Sequence, residues 1–311
     1  MIDARIRFRH LNCFLEVARQ HSVVRAADRL AVSQPAVSKT LRELEDILEL
    51  KLFQRGRKGL TLTPLGQLFQ TYASASLASL REGVASLREA RGGGAQPIGV
   101  GVLPTVAARL MPATLTAFRG AGGRGPVRLV TGPNDHLLAQ LRVGELDLVV
   151  GRLGEAELMS GLSFQHLYPE PLRVVVRRGH PLASGFDPAR IADYPLVLPS
   201  AGTVVRQDAE RLLIGAGVWP ITSYVETFSV AFGRQYVLDG EAVWIVALGV
   251  VADDLAADRF VELPLDTSAA VGPVGLTVRA DAPRSAAAEL FLRCLHEVAA
   301  SIRRGGGHCR R

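Results

Sequence analysis

The sequence has few cysteines, and those it has form no pattern. Cys13, Cys294 and Cys309 are odd in number and widely spaced, which excludes a disulfide framework and a pair of zinc knuckles. The seven histidines never stand at the i, i+4 spacing of a helical zinc site. We therefore expect no structural metal, and we expect Cys13, beside Phe14 and Leu15, to be a small buried hydrophobe.

Long hydrophobic runs are missing as well. The longest, residues 242–252, lies between Glu241 and Asp253 and is far shorter than the roughly 20 residues of a membrane-spanning helix. No apolar segment follows a basic start at the N-terminus, so no signal peptide is expected. These absences predict a cytoplasmic protein with no membrane partner.

Motifs of common enzyme classes are absent too. The sequence contains no Gly-x-Ser-x-Gly nucleophile elbow and no Walker loop, and Gly99-Val-Gly101 lacks the third glycine of a dinucleotide-binding loop. We therefore expect no cofactor and no enzymatic activity.

Positive charge is concentrated at the two ends of the chain. Residues 1–66 contain twelve Lys and Arg against seven Asp and Glu, and residues 303–311 contain four Arg and no acid. Because the whole chain carries a net charge of +6, the part between them is mildly acidic. A basic N-terminal module favours phosphate binding, although a solvated basic face has the same composition. We expect the basic tail, 303–311, to be disordered.

Apolar spacing predicts three helices at the N-terminus. Leu11, Phe14, Leu15 and Ala18 form one stripe of a first helix. Ser22 is placed to cap a second helix, Val23 to Leu30, and Ser33 to cap a third, with Pro35 in its first turn.

The third helix has two contrasting faces. Its inward residues follow 4-3-4 spacing: Val37, Leu41, Leu44 and Leu48. The opposite face carries short hydrogen-bonding groups and long cations: Gln34, Ser38 and Arg42, flanked by Pro35 and Lys39. Such a face suits the DNA major groove, where Gln pairs with adenine and Lys or Arg with guanine or phosphate. The ordinary polar face of an amphipathic helix is the alternative.

The following segment favours DNA binding. Residues 52–62 predict two short strands joined by a basic glycine turn, which is the pattern of a wing. The tip of the wing, including Arg55 and Arg57, can reach a neighbouring minor groove or backbone. Thr63 then caps a further helix, with Pro64 at its first position.

Residues 64 to about 91 predict one long helix. Leu77, Leu80, Val84 and Leu87 follow 3-4-3 spacing, which suits a coiled-coil-like dimer contact, although packing within the same chain is the alternative. Gly92 to Gly94 would end the helix as a flexible hinge.

Beyond the hinge, short apolar runs alternate with helical segments, which predicts an α/β domain. The predicted strands are 98–103, 127–131, 146–150, 172–177, 196–198, 243–246 and 274–278. The predicted helices are 105–118, 135–143, 204–214 and 285–302.

Several linked motifs carry a family resemblance: residues 14–18, 26–30, 32–39, 44–45, 52–55 and 62–66. In this order they resemble the LysR-type transcriptional regulators. The resemblance implies an α/β protein with an N-terminal winged helix-turn-helix, a long linker helix and a two-lobed, periplasmic-binding-protein-like effector domain. It also implies a homodimer through the linker helix, a homotetramer, and promoter double-stranded DNA and RNA polymerase as partners.

The resemblance assigns bounds to these parts. The DNA-binding domain is predicted at 1–66, the linker helix and hinge at 67–94, and the effector domain at 95–302. Lobe I comprises 95–170 and 268–302, and lobe II comprises 171–267.

The resemblance also assigns functional residues. It implies DNA contacts from Ser33, Gln34, Pro35, Ser38, Lys39, Arg42 and Arg55, with Arg57 added as part of the wing tip. It places the effector cleft between the lobes, near Thr105, Asn134, Asp135, Ser200, Thr203, Phe228 and Ser229. The hydroxyls among them are alternatively simple helix caps. Arg206 and Arg234 are further candidates to bind a carboxylate.

Five further segments narrow the resemblance to one branch of the family: residues 7–11, 23–25, 243–245, 249–251 and 272–277. They are similar to the branch of the family that controls protocatechuate catabolism genes, which implies an activator that responds to a small carboxylate of the carboxymuconate type. A regulator of sugar uptake or other catabolic genes, and a repressor without effector control, remain alternatives. The glycine-rich segment 119–126, before the second predicted strand, departs from the family pattern.

Overall fold

The computed structural model describes residues 4–56, 59–90, 97–280 and 284–305. The wing-tip Arg57, the predicted hinge at Gly92–Gly94 and the last six residues of the predicted tail lie outside these ranges. The chain folds into two compact units, the first formed mainly by residues 1–93 and the second by most of the remainder. No helix in the described ranges is long and apolar enough to span a bilayer.

The first unit begins with three helices at the predicted positions: α1 Phe8–Gln20, α2 Val23–Leu30 and α3 Gln34–Leu48. The predicted caps are present, because the Ser22 hydroxyl accepts a hydrogen bond from the Arg25 amide and the Ser33 hydroxyl from the Ala36 amide. Each helix ends at a residue in the left-handed conformation. Tight turns therefore bring the three helices around one core.

That core is centred on Phe14, whose ring centroid lies 5.3 Å from that of Phe53 and 5.0 Å from that of Phe69. Ala26 and Ala27 are buried, and their small side chains let α2 approach its neighbours. Cys13 is 4 % exposed, and burial raises the pKa of its thiol to about 11. The thiol is therefore protonated at neutral pH and packs as a hydrophobe, as predicted.

The predicted wing and long helix follow. Strands β1 (Phe53–Gly56) and β2 (Gly59–Leu62) pair antiparallel, with Gly56 opposite Gly59. Helix α4 spans Pro64–Ala90, and the Thr63 hydroxyl accepts a hydrogen bond from the Gly66 amide at 3.0 Å.

One residue of the predicted dimer seam on α4 differs from expectation. Leu77 is 2 % exposed and is therefore buried within this chain, whereas Leu80, Val84 and Leu87 are 43–69 % exposed. The exposed apolar stripe extends instead toward the start of the helix, through Leu65, Leu68 and Tyr72. Helical spacing identified the stripe but could not tell which of its edges faces the chain's own core.

The second unit is an α/β domain. Its strands are β3 Ile98–Val102, β4 Val127–Thr131, β5 Leu148–Gly151, β6 Leu162–Arg177, β7 Leu196–Leu198, β8 Tyr224–Glu226, β9 Val243–Ala247, β10 Phe260–Glu262 and β11 Val271–Arg279. Its helices are α5 Pro104–Gly120, α6 Asn134–Arg142, α7 Pro181–Ser184, α8 Val204–Gly215, α9 Val230–Asp239, α10 Leu248–Ala256 and α11 Ala286–Gly305. Short 3₁₀ helices cover Ala156–Met159 and Pro188–Asp193.

The strands run in the order β4-β3-β5-β11-β6-β9-β7-β8, and β10 pairs with β6. The long strand β6 joins two lobes, because residues 162–171 pair with β11 and residues 172–175 pair with β9. Each lobe has its own apolar core, one around Leu110, Leu138 and Phe291 and the other around Leu196, Leu213 and Ile245. The predicted two-lobed architecture is confirmed.

Several elements of this unit were not predicted. Residues 162–171 extend β6 even though many of their side chains are exposed. The apolar run at 242–252 is divided between β9 and α10, a boundary that hydrophobicity alone does not mark. Helix α11 continues through Arg303 and Arg304 to Gly305. The expectation that a disordered tail begins at residue 303 is therefore wrong for these three residues.

Candidate nucleic-acid interface and ligand cleft

The outer face of α3 is polar and accessible, as its spacing predicted. Gln34, Pro35, Lys39 and Arg42 are exposed and Ser38 is half-buried. Val37, Leu41 and Leu44 hold the opposite face in the core, so packing fixes the rotation of the helix. The hydroxyl of Ser33 is engaged as the helix cap.

The cationic side chains of this surface make only weak contacts with the rest of the chain that the structure describes. The Lys39 ammonium is 3.9 Å from the Glu43 carboxylate and its side chain is 77 % exposed. The Arg42 guanidinium donates to the Ser38 carbonyl oxygen at 3.2 Å. Arg55 lies exposed on β1. Weakly engaged cations can turn to phosphate or base edges at little cost.

Glu43 is an acidic residue beside this basic surface that sequence reasoning did not consider. Its carboxylate lies 3.4 Å from His10 Nε2 and 3.2 Å from the Arg9 guanidinium. The hydrogen bond with His10, and then the charges of Arg9 and Lys39, hold the pKa of Glu43 below its ordinary value. The carboxylate therefore stays ionised at neutral pH and links α1 to α3.

Glu45 joins α3 to the wing. Its side chain is 11 % exposed, and it accepts hydrogen bonds from the Leu52 amide at 2.9 Å and the Phe53 amide at 3.3 Å. The second carboxylate oxygen is 2.7 Å from the Lys51 ammonium. These contacts of Glu45 hold the start of β1, and hence Arg55, at a fixed position relative to α3.

The second unit contains a cleft of about 370 Å³. The N-termini of α5, α6, α8 and α9 contribute to its wall, and the positive end of each helix dipole favours negative charge. Six of the seven predicted effector residues line this cleft: Thr105, Asn134, Asp135, Thr203, Phe228 and Ser229. Ser200 does not; it is 8 % exposed, and its carbonyl oxygen accepts a hydrogen bond from the Thr203 hydroxyl.

Several of the predicted side chains also have structural roles. The Thr203 and Ser229 hydroxyls cap α8 and α9, accepting hydrogen bonds from the Arg206 amide at 3.1 Å and the Phe232 amide at 3.2 Å. The alternative assignment as helix caps therefore holds for both. Thr105 makes no side-chain hydrogen bond to any residue within the described ranges, so its hydroxyl is available.

The two arginines considered as carboxylate partners are engaged elsewhere. Arg206 binds Glu210 at 2.7 Å and Glu226 at 3.3 Å, and Arg234 binds Asp254 through two hydrogen bonds of 2.6 and 2.7 Å. Neither side chain is among the described residues that line the cleft. Both stabilise lobe II.

The Asp254 pair predicts a pH dependence of stability. Hydrogen bonds from Arg234 and then Arg259 hold the pKa of Asp254 below its ordinary value of 3.8. A carboxyl with a lowered folded-state pKa contributes stability above its unfolded pKa, and the contribution is lost as the pH falls through the folded value. Asp254→Asn should lower the stability by about 1.5 kcal/mol at pH 7, since both guanidiniums are partly exposed and Asn keeps one acceptor oxygen.

Thermal unfolding from pH 7 to pH 3 tests this prediction. The melting temperature of the wild-type protein should converge on that of Asp254→Asn below about pH 4. Parallel curves for the two proteins would contradict it.

Sequence reasoning missed one basic residue of the cleft, Arg152. It directly follows the buried strand β5, lines the cleft and is 5 % exposed. Its Nη1 atom is buried and has no hydrogen-bond partner in the part of the chain that the structure describes. Burial lowers the pKa of Arg152 from its ordinary value, against an opposing effect of Glu170. The sequence did contain a signal for this residue, because Arg152 lies just after the apolar run of a predicted strand.

A winged helix-turn-helix followed by a two-lobed domain with a ligand cleft defines a ligand-responsive transcription regulator. Residues 8–67 match the family described as bacterial regulatory helix-turn-helix protein, lysR family, and residues 91–300 match the LysR substrate binding domain. The chain belongs to the LysR family of transcription regulators. Membership in a family of regulators agrees with the expectation that it is not an enzyme.

Known proteins of this family resemble the chain over nearly its whole length. The HTH-type transcriptional regulator PcaQ of Agrobacterium fabrum is 45 % identical over 306 residues, covering 97 % of this chain and 98 % of PcaQ. Full-length LysG from Corynebacterium glutamicum, with its effector arginine bound, aligns with a TM-score of 0.67 at 16 % identity and covers 95 % of this chain and 99 % of LysG. A full-length OxyR variant from Pseudomonas aeruginosa has a TM-score of 0.63 at 24 % identity, covering 93 % and 94 %. The two structures support the fold, and PcaQ supports the predicted branch.

Proposed function

We propose that this regulator activates genes for the catabolism of protocatechuate in response to a small carboxylate bound in the cleft. The observation that carries the proposal is the convergence of four helix N-termini on one cleft of about 370 Å³, a volume that suits a metabolite of this size. The similarity to PcaQ over almost the whole chain supports the choice of genes.

The DNA contacts are proposed to come from the polar face of α3 and from the wing. Gln34, Ser38 and Arg42 would face base edges, while Lys39 and Arg55 would bind phosphate. Ser33 and Pro35 begin the helix at the groove, and Arg57 completes the wing. The exposure of the described members of this set supports the assignment.

Gln34→Ala and Arg55→Ala should have different effects on DNA binding. Loss of the Gln34 amide should weaken binding to the preferred site by about 1.5 kcal/mol and relax base preference at one position. Arg55→Ala should weaken specific and random DNA alike and reduce the salt dependence of binding. Titrations of both variants against operator and random duplexes at two salt concentrations separate these effects; equal losses on both duplexes for Gln34→Ala would refute its role in base recognition.

The effector is proposed to contact Thr105, Asn134, Asp135, Thr203, Phe228 and Ser229. The Thr105 hydroxyl and the helix N-termini would bind its oxygens, and the ring of Phe228 would cover its carbon skeleton. Ser200 is left out because it does not line the cleft.

The regulator is proposed to act in the cytoplasm as a homodimer through α4 and as a homotetramer that contacts RNA polymerase. The exposed stripe of Leu65, Leu68, Tyr72, Leu80, Val84 and Leu87 supports pairing of α4 with a second copy. The domain bounds at 1–66, 67–94 and 95–302 are proposed with it. An effector that prefers one arrangement of the lobes would change the assembly and the bend of the DNA.

Footprinting of the protein on its promoter, with and without saturating β-carboxy-cis,cis-muconate, tests this function. The footprint and the DNA bend should change, and transcription should rise. A footprint that shows no response to this and other carboxylates would favour a repressor without effector control.

A further inference from the structure

Arg152 holds a distinctive position among the residues of the cleft. It is the only lysine, arginine or histidine among the described residues that line it. The acidic lining residues, Asp135 and Glu155, are exposed and therefore remain solvated and screened, whereas Arg152 is 5 % exposed. Because charge acts more strongly where water is excluded, the buried cation favours an anion in the inner cleft, and the buried Glu170 offsets it only in part.

The guanidinium of Arg152 is also incompletely hydrogen-bonded within the described residues. Its Nη1 atom is buried without a hydrogen bond in the described ranges. Glu170, the nearby buried carboxylate, accepts a hydrogen bond from the Gly249 amide at 2.8 Å instead. Glu170 and Asp208 act on Arg152 only through longer-range charge interactions. A buried guanidinium in this condition has lost its hydration without full compensation, which favours a ligand that supplies the missing acceptor.

The surrounding structure holds Arg152 in place. The Asn134 side chain, at the N-terminus of α6, donates to the Arg152 carbonyl oxygen at 3.0 Å and accepts from the Arg152 amide at 3.3 Å. On the neighbouring strand β11, a side chain at position 272 would overlap the guanidinium, so Gly272 leaves the space that it occupies. The backbone of Arg152 is therefore held beside a helix N-terminus, and its guanidinium lies against Gly272, before any ligand binds.

We propose that Arg152 binds a carboxylate group of the effector and selects carboxylates over their neutral esters. This inference rests on the proposed function of the cleft as a carboxylate site. The planar guanidinium can donate two parallel N–H bonds to the two carboxylate oxygens. It is a specificity-determining residue that sequence reasoning did not find.

Calorimetric titration of the full-length protein with β-carboxy-cis,cis-muconate and with its trimethyl ester tests the proposal. Arg152→Met should bind the carboxylate roughly 10- to 100-fold more weakly, and its preference for acid over ester should fall by the same factor. Arg152→Lys keeps the charge but loses the bidentate geometry, so its loss should be intermediate. Arg234→Met, which alters an arginine outside the cleft, should keep the wild-type affinity and preference.

The outcomes distinguish this inference from the proposed function. If the wild-type protein binds no carboxylate, the proposed effector response is wrong and the role of Arg152 with it. If the wild-type protein binds the carboxylate, and Arg152→Met does so equally well with the same preference over the ester, only the role of Arg152 is wrong. If a melting curve shows that Arg152→Met does not fold, the acid-to-ester preference of Arg152→Lys decides, and an unchanged preference overturns the proposal.

Discussion

Gly66→Ala is expected to unfold the DNA-binding unit. Gly66 lies in the first turn of α4, and a Cβ atom there would overlap the carbonyl oxygen of Leu52 and lie 3.1 Å from a methyl carbon of Leu62. The Leu52 oxygen accepts the hydrogen bond of the Thr63 amide at 2.9 Å, so the backbone cannot withdraw without breaking the junction of wing and helix. The expected loss is about 3 kcal/mol or more, a large part of the stability of a small domain.

Gly83→Ala is the matched control for this substitution. Gly83 lies in the same helix, and nothing stands within 4 Å of a Cβ atom placed on it. Alanine there should be neutral or raise the stability by about 0.5 to 1 kcal/mol, since it is the better helix former. Thermal unfolding and gel-shift assays on both variants give the comparison. If Gly66→Ala melts with the wild-type protein and binds DNA normally, the close approach of α4 to Leu52 is not as the structure describes.

Glu45→Ala should produce the second largest effect, on both stability and DNA binding. The substitution removes the acceptor of the Leu52 and Phe53 amides and the partner of Lys51. Two partly buried amide groups would lose a charged acceptor, which costs about 2 to 3 kcal/mol. The start of β1 would then be free to shift, so Arg55 would meet DNA less often in its binding position. We expect a lower melting temperature and weaker binding to specific and random DNA.

Two further variants show which property of Glu45 matters. Glu45→Gln keeps an acceptor oxygen for the two amides and should lose less than half as much stability as Glu45→Ala. Asp46→Ala removes an exposed acid from the same helix and should change the stability by less than about 0.5 kcal/mol. If Glu45→Ala and Asp46→Ala melted at the same temperature, the contacts of Glu45 between α3 and the wing would contribute no measurable stability.

Local sequence patterns were sufficient to predict the secondary structure of the first unit. Helices α1 to α3, the serine caps of α2 and α3, the wing and the start of α4 lie where spacing and capping residues predicted them. Each of these signals acts over only a few residues, so an interaction with distant parts of the chain is not needed to determine them. The same signals identified the outer face of α3, because its inner face is fixed by 4-3-4 apolar spacing.

Local patterns were less informative for the second unit. The three-residue strands β8 and β10 are too short to show a period, and α10 continues an apolar run that begins in β9. Helix α9 is partly exposed and carries aromatic residues on its outer surface, so its pattern does not stand out from a loop. These elements form because neighbouring strands and the lobe core hold them, which is a tertiary effect.

By itself, the sequence determined the family, the polar outer face of α3 and six side chains of the cleft, because ordered motifs and helix caps are local features. Only the tertiary structure decided which groups remain available there. It paired Arg206 and Arg234 with carboxylates, placed Ser200 outside the cleft and buried Leu77. It also left Nη1 of Arg152 buried without a hydrogen bond to any residue that the structure describes. Partners come from strands and helices far apart in the chain, so no spacing rule can show which charges are already neutralised.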